Sequence, residues 1–201
     1  MVGVRQFDEQ AVLEKALDLF WQQGPAATSM PALAQATAVQ RGSLYNAYGA
    51  KETLFLKAFE LYTSRFLGAV RISLAGTGAG EILTRFFDTA IANMTSGSPS
   101  RGCLTTKTAS DGSLAEPAIR AQVQRLILDL ETLIADALAP FESELSLSRA
   151  ETANLVVAVT RGLAVMERIH GDPQQLRATA SSLVRSVTRP RPDPARKRKA
   201  G

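Results

Sequence analysis

Apolar residues recur every three or four positions along almost the whole chain, and glycine and proline fall mostly between these periodic stretches. Such a pattern cannot serve a strand, whose side chains alternate every two residues; it calls for helices, each with one apolar stripe. β-branched alternation is scarce, and nothing repeats at a period of about 20–50 residues, so a solenoid or propeller is excluded. The expected fold class is all-α.

The stripes and breaks divide the chain into segments. The first helix is expected over 8–23, where Val12, Leu13, Ala16, Leu17, Phe20 and Trp21 form one stripe. Asp8 is placed to cap it, and Gly24-Pro25 stops it. A short helix over 30–36 follows, with Ser29 as its cap and Pro31 in the first turn, where a missing N–H costs little. After a break at 37–39 comes a second short helix, 40–46. A long helix over 51–75 carries Leu54, Phe55, Ala58, Phe59, Tyr62, Phe66 and Val70. Further helices are expected over 81–95, 104–109, 117–139, 149–169 and 173–188. The penultimate one is apolar round more than one face and so should be buried on two sides.

Two short helices joined by a tight turn and braced by a preceding helix make a helix-turn-helix unit. In such a unit the second short helix enters the major groove of DNA, and its N-terminal half reaches base edges. Here that half is Gln40, Arg41, Gly42 and Ser43. Gln and Arg have the shape for two-point contacts with adenine and guanine, and glycine lets the backbone approach closely. Spacing alone leaves a second reading open, in which Gln40 and Arg41 are solvated residues on a generic helical bundle.

The residues themselves narrow the choice. Ala16–Gly24 (ALDLFWQQG), Thr28-Ser-Met, Leu33-Ala and the run from Val39 to Leu54 (VQRGSLYNAYGAKETL) resemble the N-terminal signature of the TetR/AcrR family. The resemblance covers about residues 7–60; beyond it only the helix pattern and Gly102-Cys-Leu are similar. It implies a helix-turn-helix DNA-binding domain over 1–50, a linking helix over about 51–75, and a helical-bundle regulatory and dimerisation domain over 76–188. It further implies a repressor that binds a palindromic operator as a homodimer and is released by a small-molecule effector. By the same resemblance Thr28, Tyr45 and Lys51 contact phosphates, which fix position, while Gln40, Arg41 and Ser43 carry sequence information. Tyr48, in the place of a usual Phe, is expected in the core. Ala38 stands where the family has a turn glycine, and Ala50 where it has a capping Ser. The alternative is a helical protein-interaction module of the same fold without specific DNA binding.

Two reading heads related by a dyad double the site. The dimer is expected through about 149–188, with Gly162 permitting close approach; the other reading is that these two helices only close the core of a single chain. Phe66, Phe86, Phe87, Met94, Cys103, Leu126 and Leu130 are expected around the effector pocket, with Asn93, Thr105 and Arg161 as polar anchors. Trp21 is expected to be core. Cys103, the single cysteine, follows Arg101 at a helix start; either a buried inert thiol or a redox or electrophile sensor fits that position. His170, at a helix end, reads as an ordinary C-terminal histidine.

The net charge of +4 is uneven. Residues 189–201 carry a net +5, against −1 for the remainder, and residues 1–65 hold six basic and six acidic groups. The basic end is expected to be a disordered tail, either a solubilising end or a source of added nonspecific phosphate affinity. There is no metal-ligand spacing, no P-loop, no GxGxxG and no GxSxG, so neither enzyme nor cofactor is expected. With one cysteine, no signal-like start and no apolar run of about 18 residues, a cytoplasmic location without membrane contact is expected.

Overall fold

The computed structural model describes residues 7–189; the basic segment lies outside it, apart from Arg189. Among the described residues there are nine α-helices: α1 (Glu9–Gln23), α2 (Met30–Thr37), α3 (Arg41–Tyr48), α4 (Lys51–Ser73), α5 (Ala79–Met94), α6 (Leu104–Ser110), α7 (Pro117–Leu138), α8 (Arg149–His170) and α9 (Pro173–Val187). Short 3₁₀ turns lie at Ser113–Ala115 and Ala139–Glu144. The fold is all-α, and among the described residues there is no strand beyond one isolated bridge between Leu145 and Thr188.

The helix starts follow their capping chemistry. Asp8 accepts from the N–H groups of Gln10 and Ala11, and Ser29 from that of Ala32. Ser148 and Glu151 form a reciprocal capping box ahead of α8. Several boundaries differ from the sequence expectation by a residue or two, and three of them have a visible cause. α2 runs on through Thr37, whose hydroxyl donates back to the Leu33 carbonyl at 2.7 Å. α3 runs on to Tyr48, which is drawn into the core, and stops at Gly49 with φ 73°. α5 starts at Ala79, whose N–H is met by Glu144 Oε2 at 2.8 Å.

One apolar cluster runs from α1 to α9 without a gap. Its spine is an aromatic row on α4. Phe55 sits edge-on to Phe20 at 5.1 Å, and Phe59, Tyr62 and Phe66 continue the row at 5.5, 5.7 and 6.1 Å. The rings give α4 a continuous buried face from the three-helix N-terminal unit into the larger bundle. α8 buries Ala153, Val156, Val157, Leu163 and Ala164 on one side only. Its other side leaves Val165, Met166 and Ile169 exposed, so within one chain the two-sided burial expected from the sequence is not complete.

The segment before and along α6 is hooked onto the end of α1. Lys107 Nζ donates to the carbonyls of Trp21, Gln22 and Arg101. Trp21 Nε1 donates to the Gly102 carbonyl at 2.7 Å, Arg101 pairs with Asp18 at 2.7 Å, and Asp111 accepts from the Ala26 N–H at 3.1 Å. The α1 carbonyls left open by the helix end are thereby satisfied by a cation from the bundle. Trp21 is therefore half-buried at a joint, with Arg101 over its ring at 5.3 Å, rather than a plain core residue.

Candidate nucleic-acid interface

α2 and α3 meet through fully buried Leu33 and Leu44. The turn between them places Ala38 at φ 56°, ψ 29°, in the left-handed region, with its N–H directed to the Gln35 carbonyl at 3.3 Å. The turn therefore demands the conformation that glycine adopts freely, and alanine holds it at a cost of about 1 kcal/mol. Ala50, at the start of α4, makes no side-chain cap bond.

The N-terminal half of α3 faces outward. Gln40, Arg41 and Gly42 are exposed and Ser43 is half-buried. Gln40 gives no side-chain cap bond, so the first-turn N–H groups of α3 remain open to an acceptor. The Arg41 guanidinium lies over the Tyr45 ring at 5.5 Å, which holds both side chains on one face. A Cβ on Gly42 would meet nothing within 4 Å, so this face is unobstructed. Asn46, exposed one turn beyond Gly42, joins it; the i+4 spacing is the signal in the sequence that finds it.

Two expected contact residues are occupied elsewhere. Thr28 is 2% exposed and its hydroxyl donates to the Gly24 carbonyl at 2.7 Å, so it shapes the turn before α2 rather than presenting a hydroxyl outward. Lys51 Nζ donates to the Pro25 carbonyl at 2.8 Å. Tyr48 is in the core, against Phe7.

The residues expected around an effector also divide. Phe86, Met94, Leu126 and Leu130 are packed in the core, and Phe87 touches a crevice of about 90 Å³ beside α9. Only Phe66, with Asn93, lines a larger cleft of about 400 Å³ that opens between α1, α4 and α5. Cys103 lies just behind the Tyr62 wall of that cleft, buried, with its Sγ 3.5 Å from Arg161 Nη1 and 4.0 Å from Tyr62 Oη. Burial pushes this thiol up, but the Arg161 charge and hydrogen bonds from Thr106 and Tyr62 outweigh it and hold it below the ordinary thiol range. The cation acting on it is Arg161 from α8, not the sequence neighbour Arg101, which is turned to Asp18. Thr105 is buried beside this group. His170 is the exposed last residue of α8. Among the described residues no three His, Cys, Asp or Glu side chains are grouped to hold a metal, and no helix is long and apolar enough to cross a membrane.

Comparison with known proteins adds to this geometry. A family model described as bacterial regulatory proteins, tetR family, matches residues 12–58, and one described as the tetracyclin repressor-like C-terminal domain matches 79–183. The HTH-type transcriptional repressor ComR of Escherichia coli K12 is 43% identical over 60 residues, which is 30% of this chain and 29% of ComR. The HTH-type transcriptional regulator YezE of Bacillus subtilis 168 is 27% identical over 128 residues, 63% of this chain and 66% of YezE. The matches thus span about a third and just under two thirds of these relatives. A cysteine mutant of the TetR family transcriptional regulator CifR, solved with 26 bp double-strand operator DNA, superposes with a TM-score of 0.82 at 25% identity, covering 92% of this chain and 99% of that one. The reduced form of E. coli NemR shares the fold at a TM-score of 0.80 and 16% identity, covering 90% and 96%.

Proposed function

Since the chain belongs to the TetR family of bacterial transcription regulators, we propose that it is a repressor that binds a palindromic operator as a homodimer and is released by a small-molecule effector. The observation that carries this reading is the outward N-terminal half of α3, where Gln40, Arg41 and Gly42 stand exposed on a helix braced by buried Leu33 and Leu44. Gln40, Arg41 and Ser43 read base edges in the major groove; Tyr45 and the open first-turn N–H groups of α3 take phosphates. Lys51 joins them on exchanging the Pro25 carbonyl for a phosphate. The dimer forms through α8 and α9, where Val165, Met166 and Ile169 are 45%, 47% and 63% exposed in the single chain. Gly162, with nothing within 4 Å of a Cβ, lets the partner helix approach. The protein works in the cytoplasm, without a cofactor.

Selection of bound fragments from a random DNA pool tests this, using the intact chain, a chain ending at Thr188, and Gln40→Ala/Arg41→Ala. A palindrome is expected to be enriched by the intact chain, lost in the double variant and only weakened by the truncation. Enrichment of no sequence, or enrichment that follows residues 189–201 alone, would overturn the reading. It would favour a helical module that binds another protein, a reading supported by the balanced charge of residues 1–65 and the occupied Thr28 and Lys51.

A further inference from the structure

The cleft of about 400 Å³ beside α1 is walled by Leu17 and Trp21 from α1, by Tyr62, Arg65, Phe66 and Ala69 from α4, and by α5. Trp21 stands edge-on to Tyr62 at 4.9 Å, and Tyr62 is stacked with Phe66 at 6.1 Å and 12°. A planar ring entering here meets three aromatic neighbours. Polar groups are few and sit together on α5: Asn93 gives one N–H to Tyr62 Oη at 3.3 Å, which leaves its second N–H and its carbonyl oxygen for an occupant, and Thr89 lies one turn away. Burial pushes the Tyr62 phenol well above its ordinary pKa, so it stays neutral.

Charge decides the class of occupant. Of the residues lining the cleft, Arg65 alone is charged, and it is held across both Glu14 oxygens, one of them at 2.7 Å. That hydrogen bond keeps the Glu14 carboxyl below its ordinary range and therefore ionised, so the rim carries a matched pair and no free charge. An anion placed among these rings would lose its hydration and find no free counter-charge, and a cation would have the Arg65 guanidinium beside it.

The geometry points to this cleft as a binding site for a neutral aromatic compound that carries a hydroxyl or carbonyl group, seated between α1 of the N-terminal unit and α4 and α5 of the bundle. This deepens the reading of the chain as an effector-released regulator and rests on it for its consequence. An occupant touches α1, α4 and α5 at once, so its affinity changes whenever α1 moves against them, and that difference is what a ligand needs in order to shift a conformational equilibrium. The site differs from the pocket expected around Phe86, Leu126 and Leu130, which are packed solid.

Trp21, the single tryptophan of the chain, makes the test direct. Free protein is titrated with 4-phenylphenol and, separately, with biphenyl-4-carboxylate, which has a similar shape but bears a charge. Tryptophan emission and heat of binding are both followed. Saturable 4-phenylphenol binding is expected with a change in Trp21 emission, and the carboxylate should bind at least about tenfold more weakly because its charge must be desolvated. Ala69→Phe and Ala92→Phe fill the cleft from opposite walls at exposed positions, and each should abolish binding while leaving the circular dichroism spectrum unchanged. No saturable binding, equal binding of the anion, or binding that survives in both Phe variants would each overturn the proposal. Loss of self-association in the Phe variants, seen by sedimentation, would instead make the cleft a contact between copies and overturn it too. No DNA is present, so failure here leaves the operator reading untouched, and failure of fragment selection leaves this titration meaningful.

Discussion

Single positions show where this chain departs from the easiest solution. Ala38 holds a left-handed conformation in the turn before α3, and Ala38→Gly should stabilise the protein by about 1 kcal/mol in chemical denaturation, because glycine enters that region without a Cβ penalty. A variant no more stable than the parent would mean that the turn carries no strain. Cys103 offers a pH test. A thiol whose folded pKa lies below its unfolded value of about 8.5 contributes stability that is complete above that value and is lost as pH falls through the folded pKa. Arg161→Met removes the cation 3.5 Å from Cys103, so its destabilisation should be larger near about pH 9 than near about pH 6. Equal losses at both would show that the thiol is not held as an ion. The strained turn was legible in the sequence because a non-glycine residue stood at a known turn position. The Arg161–Cys103 pair was not, because its members lie 58 residues apart and only the packing of α6 on α8 brings them together.

At the level of helices, the sequence was informative wherever the signal is local. The stripes, the Asp8 and Ser29 caps and the glycine stops located α1, α2 and α4 to within a residue or two, since period and capping are properties of neighbours. What the stripes could not tell was which apolar residues pack solid and which surround a space. Phe86, Leu126 and Leu130 read the same as Phe66, yet only Phe66 borders the cleft, because the offset between α1, α4 and α5 creates it. α6 carries the least readable role. Its Lys107 looks like a surface lysine in the sequence, but its ammonium caps the end of α1, 86 residues away. Lys107→Met strands the Trp21, Gln22 and Arg101 carbonyls and should cost about 2 kcal/mol of stability in urea denaturation. A loss no larger than that of an ordinary exposed lysine would mean that solvent satisfies those carbonyls equally well.

For the whole molecule, the proposed dimer would cover the apolar strip of α8 that a single chain leaves exposed. Met166→Glu/Ile169→Glu places two carboxylates in the exposed strip of α8. Sedimentation should then report a monomer that keeps its helical circular dichroism, with operator affinity falling together with self-association. A variant that remains dimeric would move the interface elsewhere. The hooks between residues 18–26 and 101–111 bear on a different matter, the portability of the reading head. Regulators of this architecture invite chimeras in which one head is grafted onto another body with the cut placed in α4. Here the surfaces that must fit extend past that cut, since Trp21 answers to Gly102, Asp18 to Arg101 and Ala26 to Asp111. A graft carrying residues 1–75 alone would leave those partners in the donor. The smallest transplantable unit of this protein is therefore discontinuous in sequence, a head together with the stretch of chain that grips it.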